Sequence, residues 1–443
     1  MEHHQLKFHH FWWLIVLVCH CEVTFGATRA PSWFYHRFYQ HYQRHISDWW
    51  ETNKEIQILQ EYLRIPSVHP DPDYGPCVEF LQRQADSLNL PLIVHHPSLP
   101  NKPIVIITWQ GTNPELPTIL LNSHMDVVPV YPESWSHPPF GAEIDAQGRI
   151  FARGSQDTKG QGTAYLGAVR QLQDEGFQPK RTLHIMYVPD EEIGADHGMK
   201  AFVETQEFRD LNIGFAIDEG ATAPFESLFV FNAEKTRWAP IFKAKGNPGH
   251  GAILAEKTSG EGFSRLIAKI MNYRQMQMAK LQNGVPWGNV TSINLTKVQG
   301  GIQTNVIPEE LSAFFDIRLA LDEDQDAYLE MLKGFIEEAG GNIELTFEVK
   351  DNPSPPTILD DSDPFWVTFK DTMTELASSL DLQIMPGVTD MRFVRPKGVR
   401  AIGFNPMNHT PIRFHAHNEF IYANQYMQAI KNFARIIEKL TGV

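Results

Sequence analysis

A chain of 443 residues, 42% hydrophobic and 21% charged, has the composition of an ordinary globular protein and is long enough for two domains with separate cores. Its formal net charge of −15, without a basic patch, argues against a nucleic-acid or other polyanionic partner.

The first ten residues include Lys7 and several histidines, followed by an unbroken apolar run from Phe11 to Val18 and then the small residues Thr24, Gly26 and Ala27. The run is too short to span a bilayer, which takes roughly 20 apolar residues, so no stable membrane span is expected. The pattern fits a cleaved secretory signal over 1–27; the competing reading is an uncleaved apolar N-terminus on a cytosolic protein. Cys19 and Cys21 would leave with the signal, leaving Cys77 alone and no intrachain disulfide. Secretion would open the sequons at Asn289, Asn294 and Asn408 to glycosylation. The extension 28–48, rich in aromatics and histidine between Ser32 and His45, reads as an exposed amphipathic helix or propeptide, because no carboxylates accompany those histidines.

Val78, Leu81, Ala85 and Leu88 follow at helical spacing, with Cys77 a packed or surface thiol at the start. The apolar run Thr118 to Leu121 leads into N-S-H-M-D, where residues two apart on a strand share a face, so the Asp126 carboxylate is expected to hold the His124 imidazole in one tautomer. Asp157 lies in a glycine-flanked loop, A-R-G-S-Q-D-T-K-G, and a helical pattern (Tyr165, Leu166, Val169, Leu172) runs from it to Gly176. That aspartate could equally be a helix N-cap. M-Y-V-P-D-E-E-I-G sets Glu191 and Glu192 side by side at the end of an apolar run, and I-G-F-A-I-D-E-G ends another with Asp218 and Glu219. Adjacent carboxylates repel, and a cation relieves them. Near the C-terminus, R-F-H-A-H-N-E carries His415 and His417.

Histidine and carboxylates thus recur at the ends of successive short apolar runs: His124, Asp157, Glu191 with Glu192, Glu219 and, last, His417. An open α/β sheet gathers its ligands there, outside the carboxyl ends of its strands. Imidazole and carboxylate donors without cysteine suit zinc, with cobalt or manganese as substitutes. Five ligands exceed the needs of one tetrahedral ion and fit two ions sharing a carboxylate, roughly 3.5–4 Å apart. A neighbouring unbound carboxylate can then take a proton from water.

Alternating apolar runs and helical patterns over 49–230 and 347–443 predict a mainly parallel sheet with helices on both faces. The segment 231–346 differs. Apolar runs at Ser227–Phe231, Ala239–Ala244, Val290–Val298 and Leu311–Leu319 surround helices expected at Ser264 to Leu281 and Asp324 to Ala339, the second ending at Gly340. This predicts a smaller α+β domain, ferredoxin-like, inserted in the first.

The segments P-D-Y-G, G-T-N-P, L-L-N-S-H-M-D-V-V-P-V, W-S-H-P-P-F, A-R-G-S-Q-D, V-P-D-E-E-I-G, D-E-G, G-N-P-G-H, S-I-N-L-T-K, N-V-I-P and F-N-P-M-N-H-T-P, in that order from about Trp49 onward, resemble the co-catalytic zinc family of aminoacylases, carboxypeptidase G and dipeptidases, its aminoacylases above all. The resemblance implies amide hydrolysis of N-acyl-L-amino acids at two zinc ions. His124 and Glu219 would hold one ion, Glu192 and His417 the other, and Asp157 would bridge them. Asp126 would orient His124, and Glu191 would be general base and then acid. It also implies that His250 completes an oxyanion site, in relatives by reaching across a homodimer formed through the inserted domain. Asn305 would bind the intermediate and Arg318 the substrate's free carboxylate. Relatives of the aminoacylase type are typically cytosolic. Two departures, Asn247 where arginine is common and Met391 where a polar residue is frequent, bear on the substrate pocket and not on the ligands.

Two other functions stay open on the sequence: a dipeptidase or carboxypeptidase with the same site, and a non-catalytic binding protein on the same fold. Serine-hydrolase, P-loop and dinucleotide motifs are lacking.

Overall fold

The computed structural model describes residues 49–443, so the signal expected over 1–27, the extension 28–48 and the tract Ser32–His45 lie outside the described residues. Every strand and site below belongs to the unit Gln57–Val443.

Its centre is an eight-stranded sheet. From edge to edge the strands are Leu92–His95, Ile104–Trp109, Leu183–Val188, Thr118–His124, Ile213–Asp218, Arg400–Phe404, Leu228–Glu234 and Leu380–Met385. The middle pairings, from Leu183–Val188 across to Arg400–Phe404, are parallel. The first two strands run antiparallel, and Leu228–Glu234 meets Arg400–Phe404 antiparallel before pairing in parallel with Leu380–Met385.

Thr118–His124 and Leu183–Val188 are buried along their whole length, as strands covered on both faces must be. One face carries the Lys159–Asp174 helix, where Tyr187 donates to the Gly162 carbonyl at 2.8 Å and Tyr165 meets Phe433 of the Ala423–Gly442 helix edge to face at 4.8 Å. A Cβ on Gly162 would lie 2.7 Å from Ser123 Oγ, so glycine is what lets this helix approach the strand bearing His124. On the other face Ile104, Leu120, Met186 and Ala216 share a core with Met199, Phe202, Phe208 and Met391. The expected mainly parallel sheet between helical layers is present.

A separate four-stranded antiparallel sheet follows the order Ser292–Gly300, Glu310–Leu319, Thr236–Lys245, Ile343–Lys350. Trp238, Phe242 and Phe315 pack there against Leu266 of the Ser259–Gln282 helix and Tyr328 and Leu332 of the Gln325–Ala339 helix. Both expected helices are present, and Gly340, at φ 119°, ends the second. The first starts earlier than its apolar pattern, because Glu261 accepts from the Thr258 amide and closes the opening turn. The chain passes between the two sheets at Glu234–Thr236 and leaves the smaller one at Lys350, a few residues beyond the junctions expected at 231 and 346. Cys77 is buried in the Gly75–Ser87 helix. No described helix is long and apolar enough to cross a membrane.

Candidate metal centre

Three parallel neighbours deliver their C-terminal ends to one place. His124 ends the middle strand; Glu191 and Glu192 follow Leu183–Val188 on one side, and Glu219 follows Ile213–Asp218 on the other. Asp157 arrives from the loop before the Lys159–Asp174 helix. His124 Nε2 lies 2.9 Å from Asp157 Oδ1 and 3.5 Å from Glu219 Oε2. The other oxygen of Asp157 faces a different imidazole: His415 Nε2 is 3.1 Å away, and equally 3.1 Å from Glu192 Oε2. Asp157 therefore presents one oxygen to each of two histidines.

This arrangement corrects the expected ligand set at one position. His415, not His417, meets Asp157 and Glu192; His417 stands edge-on to Tyr131 with ring centroids 6.2 Å apart. His415 sits in a loop at φ 58°, where the alternation of a strand gives no guide to side-chain direction. Asp157 is not an N-cap, since Thr158 takes that position.

Asp126 is also placed differently from expectation. His124 Nδ1 contacts the Asp126 backbone oxygen at 2.8 Å, whereas the carboxylate is 3.6 Å away. That carboxylate instead meets His69 Nε2 at 2.7 Å and accepts from the amides of Glu191 (3.3 Å) and Glu192 (3.1 Å). The strand ends at His124, so the two-residue rule fails beyond it. Asp126 fixes the imidazole through its backbone and the paired glutamates through its side chain.

The residue before that pair, Asp190, adopts a left-handed conformation with φ 63°. Lys102 Nζ at 2.7 Å and Tyr74 Oη at 2.8 Å both donate to its Oδ1, which gives the P-D-Y-G segment a role in shaping the site. Glu191 itself pairs with Arg392 at 3.1 Å, both side chains being buried. His69, Lys102, Arg392 and Glu419 carry no local spacing that marks them as site residues, and His415 shares its motif with His417; each reaches the cluster through a contact distant in sequence.

The electrostatics call for cations. Burial pushes Glu192 up to about 7, with Asp157 adding to it. Burial also drives Glu219 well above the usual carboxylate range, despite His124 beside it. Burial would lower His124, but Glu219, Asp157 and Asp126 hold it well above its ordinary value. Likewise His415 is pushed up to about 11 against its own burial by Asp157 and Glu192. Asp157, opposed by burial, is held well below the usual range by the two imidazoles.

The donor set tests whether metal ions fit. Two groups lie with one donor atom each mutually within 4.8 Å: His124, Glu191 and Glu219, and His124, Asp157 and Glu192. Glu192 Oε1 is buried without a hydrogen-bond partner. Nitrogen and oxygen donors of this kind, with one carboxylate shared between two imidazoles, fit a pair of divalent cations. Such ions would compete with protons for the two imidazoles.

The remaining expected residues lie elsewhere. His250 is exposed, in the short strand Gly249–His250 that pairs with Val306–Ile307. Asn305 accepts the Gly251 amide on its backbone oxygen at 2.7 Å. Arg318 pairs with Asp316 at 2.8 Å. Among the described residues no hydrogen bond or ion pair joins these three to the carboxylate cluster.

Comparison with known proteins agrees with the geometry. The family described as peptidase family M20/M25/M40 matches residues 120–439. Aminoacylase-1 of Sus scrofa is 41% identical over 389 residues, covering 88% of this chain and 95% of that protein. Aminoacylase-1 of Dictyostelium discoideum is 38% identical over 407 residues, covering 89% and 99%. Among solved structures, an M20 family metallo-carboxypeptidase from Sulfolobus solfataricus superposes with a TM-score of 0.71 at 19% identity, covering 88% of this chain and all (100%) of that one. A dinuclear metal binding peptidase of the M20 family from Bacillus subtilis gives 0.62 at 16%, covering 87% and 97%.

Proposed function

The chain belongs to peptidase family M20/M25/M40, and on that premise we propose how its own residues carry out the reaction. The chain is an aminoacylase, a metal-dependent hydrolase that cleaves N-acyl amino acids to a carboxylate and a free amino acid. The observation that carries this reading is the bridging position of Asp157 between His124 and His415, in a chain that matches aminoacylase-1 over 88% of its length.

In the proposed mechanism His124 and Glu219 would hold one zinc ion and Glu192 and His415 the other, with Asp157 a carboxylate available to both. Two zinc ions, when bound, would supply an acidified water and polarisation of the amide carbonyl. Glu191 takes the proton of the attacking water on a carboxylate oxygen and delivers it to the departing amide nitrogen. Burial raises Glu191, with Asp126 and Asp157 adding to it against Arg392 and His124, which suits a group that must bind and then release a proton. Asp126 acts by keeping the Glu191–Glu192 turn and the His124 ring in place. His250 and Asn305 serve the developing oxyanion, and the planar fork of Arg318 takes the free carboxylate of the substrate. Because His250 is exposed and distant in contacts from the cluster, the proposal includes a homodimer through the 231–346 segment, each copy lending His250 to the other.

The proposal extends to a secreted protein whose 1–27 segment is removed. N-terminal sequencing of the protein from medium tests it; a chain retained in cells with Met1 intact would refute it. The reaction is tested by hydrolysis of N-acetyl-L-methionine with metal content measured on the same sample. Turnover with two zinc ions per chain is expected. Turnover of a free-amine dipeptide with none of N-acetyl-L-methionine would move the substrate class to dipeptides.

A further inference from the structure

Arg392 is a buried guanidinium beside the residue assigned to move the proton. Its Nη1 donates to Glu191 Oε1 at 3.1 Å and to the Thr389 carbonyl at 2.8 Å. The contact engages one carboxylate oxygen of Glu191. A forked, two-point pairing would occupy both; here Oε2 has no bond to Arg392. Glu191 also belongs to the donor group with His124 and Glu219, which keeps its carboxylate toward the metal cluster.

The arginine is held by more than its own charge. It lies in the short helix Met391–Val394, whose Met391 and Val394 are part of the core with Met186 and Met199. The preceding turn is tied down from another strand, since the Glu234 carboxylate accepts from the Thr389 amide and pairs with Arg395. Asn122 Nδ2 donates to Asp390 at 3.3 Å. A guanidinium fixed this firmly fixes what it binds.

We infer that Arg392 is a positioning residue for the general base: it clamps one oxygen of Glu191 and turns the other toward the attacking water. The inference rests on the aminoacylase reading and on Glu191 as base. Arg392 does not touch substrate. Its loss acts on the chemical step through Glu191, leaving substrate binding and metal retention alone.

Kinetics of the full-length, zinc-loaded enzyme on N-acetyl-L-methionine test this with four proteins: wild type, Arg392→Met, Arg392→Lys and the double variant Glu191→Gln/Arg392→Met. For Arg392→Met, kcat falls by about 100-fold or more, within the range general-base catalysis supplies, while KM changes less than about threefold and both metal equivalents stay. The ammonium of Arg392→Lys, on a shorter unforked stem, costs about tenfold in kcat. The double variant is no slower than Glu191→Gln alone, because the arginine has nothing left to position. Wild-type-like kcat in either Arg392→Met or Arg392→Lys overturns the inference. So does a rise in KM at unchanged kcat, which would make Arg392 a substrate-carboxylate residue. Should Arg392→Met fail to fold, Arg392→Lys decides. An inactive wild type, or an active Glu191→Gln, would instead refute the reading beneath it.

Discussion

Arg153 and Glu419 form an ion pair at 2.7 Å that is sealed from solvent and joins the two loops bearing Asp157 and His415. Glu419 Oε1 accepts from the amides of Gln156 (2.7 Å) and Asp157 (3.3 Å), and Arg153 donates to the backbone oxygens of His415 (3.1 Å) and Ala416 (3.2 Å). The pair therefore sets the spacing between the bridging carboxylate and the second histidine. Glu419→Gln keeps the shape and removes the charge. Zinc dissociation constants are expected to rise about 10–100-fold, as when groups supporting metal ligands are lost. Competition titration against a chelator measures this; unchanged constants would show that the ligands hold their spacing without the pair.

Glu191→Gln should leave two zinc ions bound and lower kcat by about 10²–10⁴-fold, because a proton carrier is lost and no ligand. Metal analysis beside kinetics decides. Loss of an ion would reverse the roles of Glu191 and Glu192.

Substitutions at His415 and His417 should part cleanly. His415→Ala is expected to lose one of the two metal equivalents and nearly all turnover, since His415 alone of the two meets Asp157 and Glu192. His417→Ala should keep both ions, with any effect confined to KM through Tyr131. Metal loss in His417→Ala with retention in His415→Ala would restore the set expected from sequence.

His184 gives a stability prediction away from the site. Burial pushes its imidazole down to about 4, where it contacts Thr108 Oγ1 at 3.0 Å. An unfolded chain would titrate near 6.5. Protonation therefore favours the unfolded state: the stability is whole above about pH 6.5 and is lost as pH falls toward 4. From pH 7 to pH 5 this group should remove about 2 kcal/mol. His184→Gln should lack that loss, so the difference between the denaturant midpoints of the two proteins should shift in the variant's favour as pH falls below about 6.5. Parallel curves would mean that the imidazole titrates normally in the fold.

Much of the clustering is legible in the sequence because the candidate ligands lie at the ends of apolar runs, and parallel strands bring those ends together. His124 ends one parallel strand, Glu191, Glu192 and Glu219 follow its two neighbours, and the geometry gathers them. What could not be read was direction beyond a strand's end. Asp126 lies two residues past the last ladder position, so its carboxylate points to His69 and the glutamate amides. His415 and His417 share a turn whose backbone enters left-handed conformations at His415 and Asn418. Neither periodicity nor propensity tells which imidazole faces inward there. Arg392, Arg153 and Glu419 act through contacts across hundreds of residues and carry no local pattern of their own.

The short strand Phe420–Tyr422, which brings the last ligand loop home, pairs with Arg149–Phe151 just before the Asp157 loop. Synthesis as far as Arg413 has supplied His124, Asp157, Glu191, Glu192 and Glu219 but not His415, so the proposed site is still incomplete. Until that final pairing closes, Asp157 and Glu192 lack the one imidazole that meets them both, and the carboxylates have only each other's repulsion and His124.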